Sequence, residues 1–217
     1  MKKYGVKAIV ATAIGAALFF VLGRFVAIPS GIPDTNISIQ YGILGFFASV
    51  FGPIVGVLSG LIGHFFIDFS FGWGVWWSWV IASAVCGLII GFGMMKTDIQ
   101  GGELGKRGIL RFNIVQIIAH LVSWVIVAPV LDILMYAEPA NKVFIQGFIS
   151  AAINIVTTGI VGSLLLLAFV ATIPKKGSLE AEEAPAEEAP VEEAPAEEVP
   201  VEEAPAEEAP AEEQPAE

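Results

Sequence analysis

Six apolar runs separated by short polar breaks dominate this chain, and they leave it few folds. They cover about residues 7–26, 39–51, 53–69, 75–95, 110–136 and 143–173. A helix needs roughly 20 apolar residues to cross a hydrocarbon core of about 30 Å. Five runs reach or approach that length; the second, Ile39 to Phe51, is short and would also suit a re-entrant segment. The pattern predicts an all-α integral membrane protein of six transmembrane helices. Composition agrees, because only 15% of residues are charged against about 25% in ordinary soluble domains.

Charge divides the chain in two. All eleven Lys and Arg residues lie before residue 180, with only six acids (Asp34, Asp68, Asp98, Glu103, Asp132, Glu138). From Glu180 onward the chain holds sixteen acids and no base, in repeats of "AEEAP" or "VEEAP". Proline every fifth position blocks a continuous helix and the carboxylates repel one another. The reading is therefore a six-helix transmembrane domain over 1–176 and a disordered Glu/Ala/Pro tail over 177–217. With the N terminus inside, nine of the eleven basic residues are cytoplasmic and only Arg24 and Lys142 lie outside, as the positive-inside rule asks. This holds only if the short second run spans, and it places both termini in the cytoplasm of a multi-pass cell-membrane protein. No small-x-small cleavage site follows the first run, so it is read as a retained helix. The bases sit at helix ends, not on one face, which argues against a nucleic-acid partner. The lone Cys86, within an apolar run, reads as a small buried hydrophobe.

One stretch concentrates the chemistry: "GHFFIDFSFGWGVWWSW", residues 63–79, carries His64, Asp68 and four of the five tryptophans. Gly52, Gly56, Gly60, His64 and Asp68 are spaced by four and form one slowly drifting helical stripe. Its glycine half permits close helix packing. Its other half is an ionisable i,i+4 pair, which in a span marks a functional site or, more plainly, a pair that pins helices together. Tryptophans are enriched at membrane interfaces whatever the function. Trp76, Trp77 and Trp79 lie within about one turn and point in different directions, so at least one should face His64 and Asp68. The loop "RFVAIPSGIPDTNISIQY" is held to a restricted path by its prolines and leads to Asn36, Gln40 and Tyr41; Asn36 serves equally well as a helix cap. The same ends of the fifth and sixth helices add Trp124, Asp132, Tyr136, Asn141 and Gln146. The convergence of these residues on the extracellular half predicts a solute-binding pocket.

Helix one carries Ala11-x-x-x-Gly15 and Ala13-x-x-x-Ala17, a small-residue face suited to helix–helix packing. No P-loop, Gly-x-Ser-x-Gly, His-Glu-x-x-His or cysteine pair appears, so neither an enzyme, a cofactor nor a metal site is predicted. His120 sits mid-helix with no evident second ligand.

Three blocks, "LGRFVAIPSGIPDTNISIQY", "FGPIVGVLSGLIGHFFIDF" and "WWSWVIAS", resemble the substrate-binding S components of energy-coupling factor (ECF) vitamin transporters, and more narrowly the riboflavin-type family. The likeness covers about residues 5–173. It departs from the family at Ile32-Pro33-Asp34-Thr35, where asparagine is the expected third residue, and in the acidic repeat. The resemblance implies an S-component bundle binding one vitamin near the extracellular face. It also implies docking through Ala13, Gly15 and Ala17 on helix one to a transmembrane coupling protein and two ATPase subunits, with toppling of the loaded subunit in the lipid.

A flavin-like ligand would stack on tryptophan and present its ring edge to Asn36, His64 and Asp68. Thiamine, its pyrimidine precursor and a cobalamin are the alternatives, thiamine's charge suiting Asp68 or Asp34 beside an aromatic face. A carrier driven by protons through His64 and Asp68 is a further reading.

Overall fold

The computed structural model describes residues 5–32, 35–72 and 74–174; the acidic repeats of 177–217 lie outside them. Six helical segments are present: α1 (Val6–Phe25), α2 (Gln40–Phe51), α3 (Pro53–Phe71), α4 (Trp77–Met94), α5 (Gly105–Tyr136) and α6 (Ala140–Ala171). All but α2 are long and apolar enough to cross a membrane. Between α1 and α2 lies a small antiparallel hairpin, β1 (Ile28–Ile32) and β2 (Thr35–Ile37), pairing Ile28 with Ile37 and Pro29 with Asn36. The sequence indicates a restricted path there, and the backbone meets it with strand pairing.

The element ends follow from local chemistry. Gly52 adopts φ 98° and lets the chain reverse between α2 and α3. Pro53 then opens α3, where its missing N–H leaves no bond unmade. Helix α5 begins at Gly105, five residues before the apolar run, because the polar turn around Lys106 and Arg107 is already helical. Within α5, residues Leu121–Val127 wind into wider π-helical turns just ahead of Pro129.

Contacts at the two ends fix the number of passes. At one end the Lys7 amine lies 2.5 Å from Gln100 Oε1, and the Gln100 amide donates to the Val50 carbonyl at 2.6 Å. The start of α1, the end of α2 and the α4–α5 link therefore meet there. At the other end the Arg24 guanidinium lies 4.2 Å from the Phe71 ring centre, and Trp76 reaches Asp132. So α2 makes a complete pass between the two sets of ends in only twelve residues.

That economy is possible because α2 is central. It packs against α1, α3, α4 and α6, and none of its residues is exposed. A twelve-residue helix is about 18 Å long, well short of a hydrocarbon core of about 30 Å. Around it, α3 and α4 approach to backbone contact. A Cβ at Gly56 would lie 2.5 Å from the Gly87 carbonyl oxygen, and one at Gly60 2.7 Å from that of Ser83. The glycine half of the α3 stripe is thus a packing surface. It delivers its other half, His64 and Asp68, to the end of the bundle above α2.

Candidate functional site

Two adjoining cavities occupy that end. The larger, about 320 Å³, is lined by His64, Asp68, Trp76, Trp79, Asp132, Glu138, Lys142, Val143 and Gln146. The smaller, about 130 Å³, is lined by residues that include Asn36, Ser38, Gln40, Tyr41, Trp124, Ser150 and Asn154. His64, Asp68 and Trp79 border both. The smaller chamber sits directly over the first residues of α2, so the well is the space that a full-length central helix would have filled.

His64 and Asp68 stand one turn apart on α3, with His64 Nε2 3.6 Å from Asp68 Oδ1. His64 Nδ1 is 2.6 Å from Ser83 Oγ, which is 2.9 Å from the Tyr41 hydroxyl. This chain ties α3, α4 and α2 together. Asp68 is buried and accepts the backbone N–H of Trp76 at 2.9 Å, which anchors the start of α4 to the end of α3.

Asp132 is buried on α5 and gathers the aromatic wall. It accepts the indole N–H of Trp76 at 2.6 Å and that of Trp79 at 2.7 Å, and it also accepts the Ser78 hydroxyl. Three donors on one carboxylate compensate its removal from water. In the cavity wall it therefore organises the tryptophans. Trp79 stacks on Trp124 with ring centres 5.4 Å apart, and Tyr41 meets Trp124 edge-on at 5.1 Å.

Several sequence expectations need correction. Trp124 is fully buried within the π-helical turns of α5 and lines the smaller chamber from inside the bundle; its indole N–H donates to His120 Nδ1 at 2.9 Å. His120, which looked isolated, also meets the Thr158 hydroxyl through Nε2 at 2.9 Å. Trp77 and Tyr136 border neither chamber: the Trp77 backbone N–H donates to the Tyr136 hydroxyl at 2.9 Å, and the Trp77 indole lies against Phe65. Gly15 faces inward, where a Cβ would meet Ser59 Oγ at 2.6 Å and Phe47 at 3.1 Å. Only Ala13 and Ala17 of the small-residue face are exposed.

Asn36, Gln40, Tyr41, His64, Asp68, Trp76, Trp79, Trp124, Asp132 and Gln146 all border one chamber or both. Sequence reasoning missed Ser150 and Asn154 on α6, Lys142 in its first turn and Glu138 just before it. Ser150, Asn154 and Thr158 are spaced by four within a lipid-length helix, and that polar stripe was the available signal. Glu138 and Lys142 form an ion pair at 2.9 Å at the edge of the larger chamber. Among the described residues no group of three or more His, Cys, Asp or Glu side chains is placed to hold a metal ion.

A multi-pass helical bundle wrapped around a ligand-sized well defines the class of membrane protein that holds a small solute within its own fold. The chain belongs to the ECF-type riboflavin transporter S component family, whose model matches residues 3–171. Its relatives include UPF0397 proteins of Staphylococcus aureus strains MSSA476, Newman and USA300. Each is 47% identical over 184 residues, spanning 84% of this chain and all of the relative. No solved structure matches the chain. Membership makes it a substrate-binding subunit of an ECF transporter, a multi-pass membrane component that works with a transmembrane coupling subunit and ATPases.

Proposed function

We propose that this subunit captures a flat heteroaromatic vitamin at the extracellular face, with riboflavin as the first ligand to test. The observation that carries the reading is the well itself: aromatic walls (Trp79, Trp124, Tyr41) converge with His64, Asp68, Gln40 and Gln146 in one place. A larger chamber of about 320 Å³ falls in the range of small-molecule pockets, about 300–1,000 Å³. Charge supports the extracellular placement. Lys7, Lys96, Lys106, Arg107 and Arg111 belong to the end opposite the well, while Arg24 and Lys142 are at the well end, the distribution expected if the well faces outward.

Titration of the purified protein by intrinsic tryptophan fluorescence tests the ligand. Quenching by riboflavin at micromolar concentration supports it, and a flat response removes the flavin while leaving the transporter subunit. A cationic vitamin such as thiamine is the second reading. Asp68, Asp132 and Glu138 outnumber Lys142 around the larger chamber, and a cation over Trp79 would gain further attraction. Uptake energised by ATPases distinguishes both from a proton-driven carrier, which would work in proteoliposomes without them. The exposed pair Ala13 and Ala17 is the proposed seat of coupling to the energising module.

A further inference from the structure

The two chambers differ in size and chemistry, and the difference says which part of a ligand each receives. The smaller one, about 130 Å³, compares with a cavity of about 150 Å³ that holds benzene in another protein. It has room for one six-membered ring and not for three fused ones. Its aromatic lining is Tyr41, Trp79 and Trp124, and its polar groups are amides and hydroxyls apart from the shared His64 and Asp68.

Among those groups Asn154 stands out. It is only 7% exposed and lines the chamber, yet among the described residues its carboxamide has no hydrogen-bond partner; only its backbone carbonyl is engaged, by the Thr157 hydroxyl at 3.4 Å. Ser150, one turn away on the same face and also 7% exposed, is in the same condition. Gln40 differs, since its Oε1 already accepts the Ser38 hydroxyl at 2.8 Å. A carboxamide offers a donor and an acceptor side by side. Facing the chamber with neither group engaged by the described residues, it is complemented by a ring edge with adjacent acceptor and donor atoms.

We propose that Asn154 is a specificity-determining residue of this subunit, reading the donor–acceptor edge of a pyrimidine-type ring held in the smaller chamber. The rest of the ligand passes Asp68 into the larger chamber. The inference rests on the capture reading above. Such an edge has two sources: the terminal pyrimidinedione ring of a flavin, whose remaining rings and side chain would fill the larger chamber, or the aminopyrimidine ring of a thiamine-type vitamin.

The test is calorimetric titration of the complete purified chain with riboflavin and 3-methylriboflavin, which blocks the N–H of that edge, and with thiamine and oxythiamine, in which the amino group is replaced by a carbonyl. One parent compound binds, and its edge-altered analogue binds at least roughly 10-fold more weakly, the scale of one buried hydrogen bond lost. Asn154→Leu weakens the parent by a similar factor and abolishes the discrimination. Should that variant not fold, Asn154→Asp keeps the size while exchanging the donor for an acceptor, and it weakens the parent likewise. Equal affinity for parent and analogue, or discrimination that survives in the Asn154 variants, overturns the inference and leaves the capture reading standing. Binding of none of the four overturns it too, and copurification with ATPase subunits then shows whether the transporter assembly stands without that ligand class.

Discussion

Asp132 on α5 holds the indole of Trp79 on α4 through a 2.7 Å hydrogen bond, and the same carboxylate holds Trp76. The aromatic wall of the well is therefore set by an acidic side chain 53 residues away. Replacing Asp132 with alanine strands two indole N–H groups and the Ser78 hydroxyl, each at a cost of roughly 1–3 kcal/mol when buried. Asp132→Ala should show a lower melting temperature in detergent together with weaker ligand binding, whereas Asp132→Asn, which keeps the shape, should lose less of both.

Asp68 borders both chambers and accepts a backbone N–H from Trp76. Asparagine at that position preserves an acceptor for Trp76 but removes the charge. Asp68→Asn should therefore melt close to the parent protein while binding its vitamin about 10- to 100-fold more weakly. Calorimetry beside a melting curve separates the two effects.

The tryptophans divide by direction. Trp79 faces the well and stacks on Trp124, while Trp77 lies outside it against Phe65. Ligand-induced quenching should persist in Trp77→Phe and be largely lost in Trp79→Phe. The reverse pattern in matched fluorescence titrations would place the aromatic contact on the wrong face of α4.

On α1, neighbouring small residues serve opposite purposes. Ala13 and Ala17 are exposed, and Gly15 is packed against Ser59 and Phe47. Ala13→Trp should leave binding intact and abolish uptake with the energising module. Gly15→Trp should fail earlier, at folding, because a side chain there meets α2 and α3; size-exclusion profiles and uptake assays distinguish the outcomes.

Much of this was legible in the residues. The apolar runs located all six helices, including the short α2, and Lys/Arg placement favoured six passes, since only six put nine of eleven basic residues on one side. The spacing of Gly56, Gly60, His64 and Asp68 exposed one face of α3, because four-residue periodicity survives any tertiary packing. What escaped was whatever depends on helix rotation. Trp124 lies within the π-helical turns of Leu121–Val127, and no local propensity signals them. The inward turn of Gly15 could not be told from the outward one of Ala13 two residues on, since small residues suit both internal packing and an exposed docking face. Ser150 and Asn154 lie one and two turns deeper in α6 than Gln146, beyond the reach of any loop signal, although polar residues deep in an apolar helix are themselves a signal.

The short central helix makes the binding volume adjustable in units of helical turns. Because α2 is enclosed by its neighbours, adding or deleting a turn at its start would raise or lower the floor of the well by about 5.4 Å without altering any surface that meets lipid or a partner subunit. One scaffold could thus be recut for ligands of different size by the length of a single enclosed segment, while its outer shape, and with it its fit to an energising module, stayed constant.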